Sequence, residues 1–219
     1  MEITVTEIRA AADGAEALLT IDIVSGEKSQ RIRGSVTAAM LSELGFGLRR
    51  EAFAIDRETC ERVLHFMKLT AAIKKGLSLL AFSRNTARTM KRKLVQKGFS
   101  DEIAREASAY LVGHGYIDEQ SDAELAVENM AKRSLYGPNR IKSALYAKGF
   151  PEEVIRAALA ETELDFEEIC LARLRRLGID PTDPETKKKL VSKLGYYGFT
   201  YDQIRGAIAL YKEVKNDEG

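Results

Sequence analysis

The stretch Lys93-Leu94-Val95-Gln96-Lys97-Gly98-Phe99-Ser100-Asp101-Glu102 decides the fold, because it comes back twice. Its first return is Ala144-Leu145-Tyr146-Ala147-Lys148-Gly149-Phe150-Pro151-Glu152-Glu153, and its second is Lys193-Leu194-Gly195-Tyr196-Tyr197-Gly198-Phe199-Thr200-Tyr201-Asp202. The Gly-Phe pairs stand 51 and 49 residues apart. Leucine precedes each glycine by four residues, and alanine (Ala107, Ala158, Ala207) follows it by nine. Self-similarity at a fixed period is the signature of a repeat architecture. Each shared position has a physical task. The glycine suits a helix end in the left-handed conformation, where a Cβ is penalised. The phenylalanine after it folds back on the last turn. Ser100, Pro151 or Thr200 then starts the next helix, with acids in its first turn to suit the helix dipole. The small alanine lets that helix pack closely. Each unit therefore contains helix, tight turn, helix.

Outward from this core, the spacing leaves room for one more helix per unit, over roughly 70–83, 119–134 and 164–177. The result is three tandem three-helix units, covering about residues 70–215 and forming an elongated, curved body whose units bury their apolar faces on their neighbours. Asp56 reads as the N-cap of a connecting helix. The first residues differ: Ile3-Val5 and Leu19-Ile21-Ile23 alternate with period two, and Gln30-Arg31-Ile32-Arg33 offers a third short strand. Asp13-Gly14 and Ser25-Gly26-Glu27 read as turns. Ser35 reads as the cap of a short helix ending near Leu44 and Gly45. The expected organisation is a small β-hairpin module over 1–55 that leans on the helices after it, a connecting helix over 56–69, and repeats over 70–117, 118–163 and 164–219, with a frayed tail from Lys215. The fold class is mainly α.

Composition sets the class of function. The 219 residues carry a formal charge of only +1, so any attraction to a polyanion must come from local clustering. Clustering is what the middle helices show. Arg84, Arg88, Lys91, Arg92, Lys93 and Lys97 run with no acid among them, as do Lys132, Arg133, Arg140, Lys142 and Lys148. The third unit has Arg173, Arg175, Arg176, Lys187, Lys188, Lys189 and Lys193, diluted by Asp180, Asp183 and Glu185. Acids gather elsewhere, from Asp118 to Glu128 and from Glu152 to Glu168. With Ala87, Met90 and Leu94 inward, Arg88 and Arg92 share an outer face. With Ile141 and Leu145 inward, Lys142 and Tyr146 do, and with Leu190, Val191 and Leu194 inward, Lys188, Lys189 and Ser192 do. A single charged run on a helix usually marks a solvated face. Three runs in register with a structural repeat point instead to a polymeric or periodic acidic partner. The candidate partner-binding set is Arg84, Arg88, Lys91, Arg92, Arg133, Arg140, Lys142, Tyr146, Lys148, Arg175, Arg176, Lys188, Lys189 and Lys193.

The chemistry of catalysis is missing from the pattern. The two histidines, His65 and His114, lie far apart. His65 reads as a packing residue and His114 as a surface or capping residue. No His/Cys/Asp cluster has metal spacing, and no P-loop, G-x-S-x-G or G-x-G-x-x-G occurs. Acid pairs such as Glu152-Glu153 and Glu167-Glu168 suit helix first turns better than acid–base work. Cys60 and Cys170 read as small buried hydrophobes in a reducing compartment. Met1-Glu2-Ile3-Thr4 lacks the features of a secretory leader, and no apolar run reaches the ~18 residues of a membrane span. The expectation is a cytoplasmic, monomeric, non-enzymatic protein without cofactor or metal.

Several of these motifs carry a family resemblance. Leu80, Arg84, Thr86, Met90, Leu94 and Lys97-Gly98 resemble the opening motif of the bacterial RecX family, modulators of the RecA recombinase. The family pattern there is a leucine, an arginine, a capping serine, Glu-Leu, a leucine and Lys-Gly. Thr86 stands for that serine, and Thr89 for the glutamate of a capping box. Gly115-Tyr116-Ile117-Asp118-Glu119 is similar to the family's Gly-Tyr-Leu/Ile-Asp-Asp, with Asp122 where an aromatic is usual. Gly137-Pro138-Asn139-Arg140-Ile141, Leu145 and Lys148-Gly149 match its most diagnostic stretch, and Leu190, Leu194, Gly198-Phe199 and Ile204 its third motif. The resemblance covers about residues 70–215 and, more loosely, the N-terminal module. It implies a helical body that lodges in the groove of the RecA–DNA filament and inhibits extension, ATP hydrolysis and strand exchange in recombinational repair and the SOS response. Some members also bind DNA directly. The resemblance brings no list of binding residues, so the candidate set rests on charge alone. Two other readings of the same residues are a DNA-binding protein with helix-turn-helix-like units and a scaffold for an unrelated protein partner.

Overall fold

The computed structural model describes all residues except Met1, Asp13, Thr182, Glu218 and Gly219, and, for Pro184, Glu185, Asn216 and Asp217, the backbone only. The chain folds as two compact units, Met1–Ile117 and Asp118–Gly219. It is mostly helical, with a small antiparallel sheet near the N-terminus.

The first unit begins with strands β1 (Glu2–Ala10), β2 (Glu16–Ser25) and β3 (Lys28–Thr37), then a short helix α1 (Ala38–Glu43) and strand β4 (Phe53–Ala54). Their order in the sheet is β3-β2-β1-β4. Ile3, Val5, Ala17, Leu19 and Ile21 point inward with period two. A bulge between Val5 and Glu7 then shifts the phase, so that Ile8 rather than Glu7 is buried. Gly26, at φ +61°, occupies the first central position of the two-residue β2–β3 turn. The other expected turn is only half visible: Gly14 has φ +69°, while Asp13 lies outside the described residues.

Several expectations from the sequence are corrected by the structure. Strand β3 is longer than the four residues expected, because Val36 pairs with Ala17 and is fully buried; the helix after it is capped by Thr37, not Ser35, with the Met40 amide donating to the Thr37 hydroxyl at 3.2 Å. The boundary at 69/70 also vanishes. Helix α2 (Arg57–Leu80) runs unbroken through it from the Asp56 cap, because Lys68-Leu69-Thr70-Ala71-Ala72 holds no breaker and both Leu69 and Thr70 are buried. One face of α2, through Val63 and Met67, packs under the sheet, so tightly at Gly34 that a Cβ there would stand 2.8 Å from the Met67 sulfur. Its far end lies against α3 (Ala87–Gln96) and α4 (Asp101–Gly113). Sheet and first repeat share one core, reaching from Ile3 to Ile117.

The second unit holds α5 (Glu119–Lys132), α6 (Pro138–Lys148), α7 (Glu152–Glu161), α8 (Phe166–Leu177), α9 (Pro184–Tyr196) and α10 (Tyr201–Asp217). Helices α5–α7 enclose one core and α8–α10 another, and Phe166 and Ile169 pack against both. Helix α10 runs on to Asp217 rather than fraying at Lys215, whose ammonium is held 3.0 Å from Asp180.

The repeated stretch folds alike in all three places. Gly98, Gly149 and Gly198 take φ of +94°, +91° and +92°. The phenylalanine amide donates back to the leucine carbonyl five residues earlier: Phe99 to Leu94 at 3.3 Å, Phe150 to Leu145 at 3.2 Å, Phe199 to Leu194 at 3.3 Å. This is the six-to-one bond of a Schellman turn, which satisfies carbonyls a helix end leaves orphaned. Ala107, Ala158 and Ala207 are fully buried, as the close packing requires. Thr200 and Gln203 add a reciprocal capping box at the start of α10.

Candidate partner-binding surfaces

Helix α3 presents the first basic face. Met90 and Leu94 are fully buried, so Arg88 and Arg92, four residues apart, stand exposed on the other side with Arg84 just before the helix. Neither Arg88 nor Arg92 pairs with an acid among the described residues. Lys91 is drawn into an ion pair with Asp101 at 2.8 Å, across the α3–α4 turn. Lys93 donates to the Asn85 amide oxygen. The capping box that lacks its glutamate is completed by hydroxyls: the Thr89 amide donates to Thr86 Oγ1 at 3.2 Å, and the two threonine hydroxyls bond at 3.0 Å.

In α6 the same register holds for one residue and fails for another. Lys142, on the position of Lys91, pairs with Glu152 at 3.2 Å, the position of Asp101. Tyr146 is 58% exposed, and Lys148 and Arg133 are also exposed. Arg140 is half-buried and held by its neighbours. Its guanidinium donates to the Tyr196 carbonyl at 3.1 Å and lies over the rings of Tyr136 and Tyr196, 4.5 and 4.7 Å from their centroids. The Tyr196 side chain, more than any other neighbour, pushes its already high pKa further up.

Arg140 belongs to a joint between the second and third repeats. The α9–α10 turn sits on the start of α6: the Gly137 amide donates to the Tyr197 carbonyl at 2.8 Å and the Asn139 amide to the Gly198 carbonyl at 3.1 Å. A Cβ on Gly137 would stand 2.4 Å from the Gly198 backbone, and one on Gly198 2.3 Å from the Arg140 nitrogen. Arg173, counted in the third basic run, is buried in the same joint. It donates to the carbonyls of Ser134 and Leu135, and its guanidinium lies 4.0 Å from the Tyr197 ring centroid. The sequence places Arg140 in the candidate set and counts Arg173 only in the third basic run. The available signal was the Gly-Pro pair before Arg140 together with Tyr136 ahead of it and the Tyr196-Tyr197 pair at the end of α9.

The third basic face is the most open. Arg175 and Arg176 lie exposed in the last turn of α8, where the helix dipole favours cations. Lys188, Lys189 and Lys193 are exposed on α9, opposite the buried Leu190 and Leu194, and pair with no acid among the described residues.

His65 on α2 meets Glu106 on α4 at 2.7 Å, tying the two helices. His114 stacks on Tyr110, and its Nδ1 lies 2.9 Å from the Tyr110 carbonyl. Cys60 and Cys170 are free and buried, and burial pushes the Cys170 thiol up to about 12. Among the described residues no His, Cys, Asp and Glu side chains gather as a metal site would need, and no helix is long and apolar enough to cross a membrane.

Comparison with known proteins places these features. A family model described as "RecX, second three-helix domain" matches residues 118–159, the span of α5 to α7. "Regulatory protein RecX" of Xanthomonas axonopodis pv. citri (strain 306) is 32% identical over 137 residues, covering 62% of this chain and 84% of that protein. The protein of the same name from Chlorobaculum tepidum is 31% identical over 145 residues, covering 65% and 89%. Among solved structures, one described as the crystal structure of regulatory protein RecX superposes with a TM-score of 0.68 at 20% identity, over 93% of this chain and 98% of the other. RecX from Lactobacillus salivarius gives 0.59 at 23% identity, over 65% and 95%. The structural matches establish a shared fold.

Proposed function

This chain belongs to the RecX family of regulatory proteins, and from that premise we propose that it binds the RecA recombinase–DNA filament and restrains its extension, ATP hydrolysis and strand exchange. The observation that carries this reading is the set of exposed cations on α3 and α9 that have no acidic partner among the described residues, Arg88, Arg92, Lys188 and Lys189, on corresponding helices of two repeats. A recombinase filament on DNA is a periodic polyanion, and repeated cationic helices suit a periodic partner. Lys91 and Lys142 contribute less, since each is held by an acid of its own repeat. Arg140, half-buried and bonded to the Tyr196 carbonyl, likewise contributes less. Lys148, Arg133, Tyr146, Arg84, Arg175, Arg176 and Lys193 extend the faces.

The test is the single-stranded-DNA-dependent ATPase of the cognate RecA, titrated with this protein. Inhibition at well under one molecule per recombinase monomer is expected. Reversing Arg88, Arg92, Lys188 and Lys189 to glutamate removes four exposed contacts, each worth roughly 0.5 kcal/mol, and should raise the half-inhibitory concentration about thirtyfold. A folded quadruple variant that inhibits as well as the parent overturns the assignment of these faces; no inhibition by the parent overturns the function.

A further inference from the structure

The outer face of the N-terminal sheet takes no part in the proposed filament contact. The inner face packs on α2, which leaves the other open. Across that open face the register sets Arg9 beside Leu18 and Ser35, and Asp22 beside Arg31. Between these rows, Glu7 lies opposite Thr20 and Thr20 opposite Arg33. The bridge between Ile8 and Arg49 extends the sheet by one more segment. Arg49 turns its guanidinium onto the Phe53 ring at 4.1 Å, and Arg50, next in the chain, falls on the outer face with Glu7 and Arg9. The four arginines line one shallow depression whose floor includes the hydroxyl residues Thr6 and Thr20.

The charges on this face are unequal in freedom. Asp22 grips Arg31 through two bonds of 2.7 and 2.6 Å, which fixes that guanidinium while leaving its other donors open. Glu7 reaches Arg9 only at 4.0 Å. Arg33 and Arg50 are exposed and form no ion pair among the described residues. Strands about 4.8 Å apart put Arg50 and Arg33, three strands from each other, roughly 14 Å apart. Four arginines and one acid, Glu7, line the depression, and Asp22 beside it is bonded to Arg31, which leaves the depression cationic. Every cation is a guanidinium, the group whose planar fork matches phosphate oxygens. No aromatic side chain lines the depression, so nothing there stacks on a base.

We propose that this sheet face, through Arg33 and Arg50 with Arg9 and Arg31 beside them, is a binding surface for the phosphodiester backbone of nucleic acid, separate from the helical faces. It holds phosphates without reading sequence, and it needs no recombinase.

The experiment uses the full chain and fluorescein-labelled 30-mers of mixed sequence, single-stranded and duplex, with anisotropy read across a salt series. Replacing both arginines (R33A/R50A) should weaken binding on the order of tenfold or more at about 0.1 M salt. It should also flatten the log–log salt slope by about 2. The loss should be equal for unrelated sequences. The single-stranded and duplex arms show which form supplies the backbone, the form bound being the one whose affinity falls. The charge-preserving R33K/R50K should retain most of the slope. Unchanged affinity and slope in R33A/R50A on both forms overturns the proposal. So does an R33K/R50K loss as large as the alanine loss, or polyglutamate competing as well as the oligonucleotides at equal charge. None of these outcomes bears on recombinase inhibition by the helical faces.

Discussion

Gly98 and Gly198 hold the same place in the repeat and nearly the same φ, yet their surroundings differ completely. A Cβ added at Gly98 meets nothing within 4 Å; one added at Gly198 would lie 2.3 Å from the Arg140 backbone nitrogen. In the first unit the turn only reverses the chain, and its helices are supported by α2 through side chains such as Met90 and Leu111. In the second unit the same turn is also a contact, backbone against backbone, locking the third repeat to the second. A repeat position thus encodes a conformation in all three units, and at Gly198 a joint as well.

The sharpest way to break that comparison is the same substitution at both positions. Gly98→Ala should cost only the left-handed penalty, about 1–2 kcal/mol. Gly198→Ala carries that penalty and also drives the turn off α6, disrupting the Gly137–Tyr197 and Asn139–Gly198 bonds. Its total should exceed about 4 kcal/mol, a size that single substitutions seldom reach. Native-state hydrogen exchange reads each unit separately, with α4 amides for the first and α6 and α10 amides for the second. Equal losses in the two units would mean that the joint contributes nothing beyond the turn.

A smaller effect is expected from Arg173→Met. Arg173 is 8% exposed, its guanidinium donates to the carbonyls of Ser134 and Leu135, and Leu135 is the one described non-glycine residue with positive φ, at +48°. Methionine fills the space but leaves those carbonyls without their donor, costing about 2–3 kcal/mol. Adding Leu135→Gly, which removes the backbone strain, should recover roughly 1 kcal/mol if Arg173 acts by holding that turn. Strict additivity of the two changes would separate them.

These two sites also mark how far the sequence could be read. The period at Gly98, Gly149 and Gly198 was visible because a left-handed turn demands glycine locally, and the Schellman bonds bear out that reading. The strands were visible from alternation, but β3 was cut short because its outward residues Arg31, Arg33 and Ser35 mask the buried Val36. The site was legible only in part. Helical periodicity says which side of α3 or α9 faces away from its own core, so Arg88 and Lys188 read correctly as exposed. It says nothing about which neighbouring repeat covers that side, so Arg140 and Arg173 fall in the basic runs although they are joint residues. The 69/70 boundary failed for a related reason: a period inferred from later repeats was imposed on a helix with no breaker in it.

The two cysteines extend the contrast between the units to pH. Cys60 in the first core and Cys170 in the second are both raised by burial, and Cys170 reaches about 12. An unfolded thiol titrates near 8.5. The folded second unit therefore keeps its proton where the unfolded chain has lost it. Stability from this group is complete below about pH 8.5 and is lost as pH rises towards 12, because the unfolded state is then favoured by ionisation. Between pH 7.5 and 9.5 the α8–α10 amides should lose roughly 1 kcal/mol of exchange protection that the first unit loses to a lesser degree. Cys170→Ala isolates the effect from tyrosines and lysines that titrate in the same range. It leaves a small cavity at every pH but should remove the alkaline loss. An alkaline loss that persists unchanged in Cys170→Ala would assign it to those other groups, and the contrast between the units would then rest on the Gly137–Gly198 joint alone.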